Sequence, residues 1–301
     1  MNRRILLLAA SVSCWATVVV PASAQHFEQI PGYLTQVAAG RAEVWGVAPN
    51  GVYRFNASKG KFVKVAGMLQ AVAVGGGSLL QTDAVWGLAQ GGGVFQFDFT
   101  TGTLVQMQAP LLITQITVGD GYTDNCHPYE VWGIVFTNQE QHTLVRFNYC
   151  TSVFDSIPGS LTSISTGGGD VWGINSSGQI FQYNFVNQTW VQIGGTLQQI
   201  AVGVNDVWGL DGLGRVYRYE GSAGFVLIDA APFSQIVAGG DGVWGLTPSI
   251  WVNGTNTIVR FDPNVEIAVA VPGSLTQIAV GYGAGVWGLT AGTEVYSFVR
   301  P

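Results

Sequence analysis

Residues 190–219 read WVQIGGTLQQIAVGVNDVWGLDGLGRVYRY. Four short runs stand out in it: Trp190-Val-Gln-Ile, Leu197 to Gly203, Val207-Trp-Gly-Leu and Val216-Tyr-Arg-Tyr. Each is rich in β-branched and aromatic residues and is bounded by Gly, Asn or Asp, which is the signature of a strand between turns. No stretch beyond the N-terminal leader carries a sustained 3.6-residue apolar period. The unit is therefore four strands within about 40 residues, the size of one propeller blade.

The unit recurs along the chain. Val-Trp-Gly marks it at Trp45, Trp86, Trp132, Trp172, Trp208, Trp244 and Trp287, at intervals of 41, 46, 40, 36, 36 and 43 residues. The run before each mark is LTQVAAG from Leu34, LQAVAVG from Leu69, ITQITVG from Ile113, LTSISTG from Leu161, FSQIVAG from Phe233 or LTQIAVG from Leu275. The run after it is VYRF, VFQF, LVRF, IFQY, IVRF or VYSF. This pattern predicts an all-β, seven-bladed β-propeller of four-stranded antiparallel blades. Small β-branched runs such as LTQIAVG suit the channel. Past its N-terminal leader the chain is expected to open on an "outermost" run, Phe27 to Ile30, and it ends two residues after a third-strand run. Phe27 to Ile30 is thus expected to complete the seventh blade beside Val295 to Val299, closing the ring and covering an edge that invites aggregation.

The composition narrows the function. Of 301 residues, 48% are hydrophobic and only 10% charged, with 42 glycines and ten tryptophans; the mean hydropathy is +0.31. Glycine without a collagen-like period fits many tight turns. Net charge is −6, and removal of Arg3 and Arg4 with a leader takes it to −8. Nucleic-acid binding needs clustered Lys and Arg to neutralise phosphates; here the only cluster is Lys59, Lys61 and Lys64. Neither nucleic acid nor anionic lipid is an expected partner.

Arg3 and Arg4 precede the apolar run Ile5 to Ala10, and Ala22-Ser23-Ala24 forms a small-x-small cleavage site. Residues 1–24 read as a signal peptide and 25–301 as one propeller domain. The alternative, an uncleaved anchor, is disfavoured by Ser11, Ser13 and Thr17, which dilute a run already short of the roughly 20 apolar residues of a bilayer span. The expected location is periplasmic or extracellular. If the source were eukaryotic, Asn56, Asn175, Asn187 and Asn253 would be glycosylation candidates.

Two cysteines remain in the exported chain, Cys126 and Cys150. They lie just before and just after an expected hairpin, so a disulfide is geometrically reasonable. The competing arrangement is a metal site of Cys126, His127, His142 and Cys150. It requires His142 to leave the far end of a hairpin roughly 17–20 Å long, and no metal or cofactor is expected.

The LTQIAVG and VWGL runs, and above all IPGSLTSISTGGGDVWGINSSGQIFQY from Ile157 to Tyr183, resemble the repeats of the tectonin, or tachylectin-1-like, β-propeller family. The resemblance spans Phe27 to Arg300. It implies a non-catalytic lectin for glycans such as lipopolysaccharide, N-acetylglucosamine or O-methylated sugars. The family's typical propeller has six blades, and the seven units here prevent its ligand sites from being carried over by position.

Several residues are candidates for binding, each with a second role open to it. The seven repeat tryptophans can stack on sugar rings or pack between blades. The acid two residues before the tryptophan, at Glu43, Glu130, Asp170 and Asp206, can accept sugar hydroxyls or cap a turn. The third residue of the last run is Arg54, Gln96, Arg146, Gln182, Arg218 or Arg260, a repeated polar position open to ligand or to cross-strand contact. Irregular loops add Tyr122, Asp124 and His127 in the third repeat, and Trp251, Asn253 and Asn256 in the sixth. Asp120 and Asp124 lack the spacing of a calcium loop. His26, His127 and His142 are the only histidines, and no nucleophile elbow, paired-histidine zinc motif or phosphate loop is present. A monomeric, multivalent glycan-binding propeller is expected. The alternatives are a structural or protein-interaction propeller and, less favoured, a lyase or hydrolase with its site at the channel mouth.

Overall fold

The structure, a computed structural model, describes residues 25–76, 82–109, 112–121, 124–138, 141–248, 257–262 and 267–299. It contains the expected ring of seven four-stranded antiparallel sheets. The chain enters as β1 (His26–Tyr33) and then builds blade one from β2 (Gln36–Ala39), β3 (Val44–Ala48), β4 (Gly51–Asn56) and β5 (Lys61–Val65), ordered from the channel outward. Blades two to six repeat this order over 71–107, 113–157, 163–196, 199–229 and 235–274. Blade seven takes three strands from 277–299, and β1 is its outermost strand. Phe27 pairs with Phe298 and Ile30 with Val295, so the two ends of the chain share one sheet.

Register determines what each blade shows its neighbours. The repeat tryptophan lies directly opposite the third residue of the run that follows it (VYRF, LVRF, IFQY): Trp45 opposite Arg54, Trp132 opposite Arg146, Trp172 opposite Gln182. Side chains alternate along a strand. One face of a blade therefore carries the tryptophan and its polar partner, and the other carries the aromatic that follows that partner. Around the ring these faces meet. Trp45 packs edge-on against Phe97 of the next blade, Trp86 against Phe147, Trp132 against Tyr183 and Trp172 against Tyr219, with centroids 4.6–4.8 Å apart. Trp244 meets Phe298 at 4.7 Å, and Trp287 closes the circle on Phe55 at 4.7 Å. The repeat tryptophans are 0–5% exposed. Each anchors a cluster of buried apolar side chains drawn from two adjacent blades, so the core consists of seven seams.

The other two letters of Val-Trp-Gly follow from packing. A Cβ on Gly173 would stand 2.3 Å from Leu161 Cδ1, the leucine that opens the same blade's inner run. The same leucine, or Ile113 or Phe233, presses on the repeat glycine in the other blades. Toward the channel the innermost strands approach so closely that a Cβ on Gly75 would meet Val118 O of blade three at 2.2 Å. The channel narrows there to a cavity of about 80 Å³ bordered mostly by glycine, alanine and valine, with Asp120, Thr166 and Tyr282.

Glutamine side chains latch the innermost strands together. Gln36 accepts from Val72 N (2.9 Å) and donates to Val72 O (3.2 Å) in blade two, and Gln235 does the same to Ile278 of blade seven. Gln115 donates to Ile164 O, Gln199 accepts from Ile236 N, and Gln277 accepts from Val37 N across the closing seam. Blade two has Ala71 at this position and blade four has Ser163.

Cys126 and Cys150 form a disulfide, with Cα atoms 4.9 Å apart. Among the described residues no group of three His, Cys, Asp or Glu is placed to hold a metal ion, and no helix is long and apolar enough to cross a membrane.

Candidate binding clefts between the blades

The residue two positions before the tryptophan shares its face of the blade, because strand side chains repeat every second residue. In blades six and seven this position is glycine, and a Cβ there would lie 3.9 Å from the indole Nε1. An acid at this position can therefore reach the indole N–H, and the cross-strand arginine can reach the acid. Blade one assembles all three. Glu43 accepts from Trp45 Nε1 (3.0 Å) and from Arg54 Nε (2.7 Å) and Nη2 (2.5 Å). Blade three repeats this with Glu130, Trp132 Nε1 (2.7 Å) and Arg146 (2.8 and 2.5 Å). Glu130 is fully buried there and Arg146 nearly so, whereas Arg54 keeps 41% of its side chain exposed.

The other blades vary the scheme. In blade five Asp206 accepts from Trp208 Nε1 (2.9 Å), while Arg218 Nε pairs with Glu220 (2.6 Å). Blades six and seven lack the acid, and their indoles donate to the backbone carbonyls of Asp241 (3.2 Å) and Ala284 (2.7 Å). Blade two has Ala84 in the acid position. Its Trp86 Nε1 is buried without a well-formed hydrogen bond, and the ring meets Tyr149 edge-on at 6.3 Å. Desolvation pushes the Tyr149 hydroxyl well above its ordinary value. In blade four Asp170 is present, yet its side-chain partner among the described residues is the Gln182 amide at 3.4 Å, and Trp172 Nε1 is buried with no hydrogen-bond partner among them.

Glu43, Arg54, Asp170, Trp172 and Asp206 border grooves between neighbouring blades. One groove of about 600 Å³ is lined by Glu43, Arg54, Asn56, Lys64 and Phe97. A second, of about 700 Å³, runs past Asp83, Gln96, Phe97, Phe99 and Tyr129. Arg54 lies over the Phe99 ring at 5.4 Å, and Phe99 is itself 46% exposed. A third groove of about 320 Å³, between blades four and five, is lined by Asp170, Trp172, Gln182, Asn205, Asp206 and Tyr219. Asp170 keeps much of its own surface accessible, but the surrounding walls desolvate the carboxyl and raise its pKa, opposed by the Gln182 hydrogen bond.

The sequence candidates thus fall into three groups. Glu43, Arg54, Glu130, Arg146, Asp170 and Asp206 come together around their tryptophans at the blade seams. Arg218 and Arg260 lie opposite Trp208 and Trp244 as the register requires, over those rings at 5.9 Å each. Trp251, Asn253, Asn256 and Tyr122 lie outside the described residues, as do residues 1–24. In the third repeat's loop Asp124 accepts from Cys126 N (2.6 Å) and bonds His127 Nδ1 (2.6 Å). Burial pushes its carboxyl up, but these partners outweigh that and hold it below the ordinary value.

Asp83 was not singled out by its sequence. It is 5% exposed and receives the backbone N–H groups of Arg41, Ala42 and Glu43, each at 2.7 Å. This carboxylate of blade two therefore shapes the turn that carries Glu43 in blade one. The repeat marks it only weakly, because the residue before the acid position is Ala, Asp, Tyr, Gly or Asn, and Asp recurs there only at Asp241.

A family model described as the Tectonin domain matches the chain over residues 16–187, 79–221 and 182–300. No curated protein matches it. Among solved structures, one of YCF48 bound to D1 peptide superposes with a TM-score of 0.66 at 11% identity, covering 94% of this chain and 99% of that one. Human WBSCR16 gives 0.61 at 13%, covering 91% and 88%. The CRINKLY WD40 ectodomain of the Arabidopsis thaliana receptor kinase ACR4 gives 0.59 at 16%, covering 89% and 96%. At these identities the likeness is one of fold.

Proposed function

Because the chain belongs to the Tectonin domain family, whose model matches it from residue 16 to residue 300, we propose that it is a secreted glycan-binding propeller that acts without catalysis. The observation that carries this reading is the repetition of one polar-aromatic arrangement at the blade seams. A carboxylate, a guanidinium or amide and an aromatic ring border open grooves on one face, and in the third groove the ring is the repeat indole of Trp172. Sugars offer hydroxyls that both donate and accept, with apolar C–H faces that pack on aromatic rings. The sparse charge of the chain favours neutral glycans over phosphorylated or sulfated ones. Several quasi-equivalent grooves on a rigid ring would convert weak single contacts into avidity on a dense polysaccharide.

The disulfide fits an oxidising compartment. Removal of residues 1–24 by an export machinery would leave a chain that begins at β1 and works as a monomer. The test is a glycan array probed with residues 25–301, spanning neutral, N-acetylated, O-methylated and anionic sugars. Binding to uncharged glycans is expected. Binding to none of them would overturn the reading and leave a structural or protein-interaction propeller.

A further inference from the structure

The blades differ in one respect that the repeat pattern hides. In blades one, three and five the acid and the indole satisfy each other directly. Blades six and seven use a backbone carbonyl instead. Blade four has both groups, and they do not meet. Asp170 leans to Gln182, and Trp172, 1% exposed, directs its Nε1 at no acceptor. A buried donor left without an acceptor is destabilising, so the arrangement is costly unless something from outside the chain completes it. Both groups line the same 320 Å³ groove, together with Gln182, Asn205 and Tyr219.

We propose that the groove between blades four and five is a binding site for an uncharged polyol, such as a pyranose ring, and that one ligand hydroxyl bridges Trp172 and Asp170. The hydroxyl oxygen accepts from Trp172 Nε1, and its O–H donates to an Asp170 carboxylate oxygen. A hydroxyl is the functional group that can do both at one atom. The Gln182 and Asn205 amides supply further donors and acceptors for neighbouring hydroxyls. The groove is lined by two carboxylates, Asp170 and Asp206, and by no Lys or Arg, which disfavours anionic sugars. This site rests on the glycan-binding reading and deepens it. It singles out blade four, because the carboxylates of Glu43 and Glu130 in blades one and three are already occupied by arginine.

The test uses substitutions that other blades already accommodate. Asp170→Glu lengthens the acid so that it reaches the indole itself, as Glu130 does, and Gln182→Arg supplies the guanidinium that neutralises the acid in blades one and three. Calorimetric titration with the best neutral methyl glycoside from the array should show one binding equivalent lost per chain in either variant. The thermal transition should remain that of a folded propeller. Asp170→Asn serves as a third variant that preserves shape, and it should weaken the same equivalent at least tenfold. Unchanged stoichiometry and affinity in all three would overturn this site and assign the gap to a bridging water. The glycan-binding reading would then survive. A wild-type chain that binds no glycan would remove both.

Discussion

The same side-chain triad has different weight in different blades. Glu130 and Arg146 are withdrawn from water, so removing one partner strands a buried charge. Arg146→Ala should cost about 3–5 kcal/mol in urea unfolding. Arg54→Ala, at a pair with 41% of the arginine side chain in solvent, should cost about 0–1 kcal/mol. Equal losses at the two sites would contradict the burial assigned to them. Asp170 predicts a pH effect of the opposite sign to that of an ordinary surface carboxylate. Desolvation holds its folded pKa above 3.8, so the folded chain keeps this proton more tightly than the unfolded one. Stability therefore falls as pH rises from the ordinary value through the raised one, and stays reduced above it. Asp170→Asn should be the more stable protein near neutrality and equal to wild type well below 3.8. A variant less stable than wild type near neutrality would refute this. These residues were legible in the sequence as a recurring acid and a recurring Arg or Gln. Their mutual bonding was not, because they are 11 to 16 residues apart and meet only when hairpin register places both beside the tryptophan.

Within a blade, the repeat marks turn out to be packing marks. The leucine of the inner run fills the space above the repeat glycine, which makes Leu161 and Gly173 a coupled pair. Gly173→Ala should cost about 1–3 kcal/mol by overpacking. Combined with Leu161→Ala, which vacates that space, the two losses should sum to less than their separate values. Strict additivity would show that the two side chains do not compete. The glutamine latch and the aromatic at the end of each third strand are present in the same runs, as the Q of LTQ and the last letter of VYRF or IFQY. Each was visible as a recurrence. What a recurring residue contacts in the adjacent blade depends on which faces oppose each other, and periodicity alone does not encode that. Trp251 and Asn253 lie outside the described residues.

At the scale of the ring, stability depends on closure as much as on any blade. Pairing of β1 with Glu294–Val299 buries an edge, places Phe27 against Trp244 at 6.1 Å, and leaves Gln277 to latch onto Val37. A chain beginning at residue 34 would expose the Glu294–Val299 edge. It should form higher oligomers in size-exclusion chromatography where the chain beginning at residue 25 does not; identical elution would refute the closing role of β1. Blade number, blade boundaries and closure followed from seven tripeptides and from which strand type begins and ends the chain. The functional difference among the blades did not, since it rests on where a single carboxylate leans.

The central claim, that an uncharged glycan completes an unfilled hydrogen-bond pair at a blade seam, is tested most directly by the indole N–H resonances of ¹⁵N-tryptophan-labelled protein. During titration with a neutral methyl glycoside, the Trp172 signal should move and the Trp45, Trp132 and Trp208 signals, already bonded to Glu43, Glu130 and Asp206, should stay in place. A bound glycoside that leaves Trp172 unmoved would contradict the claim.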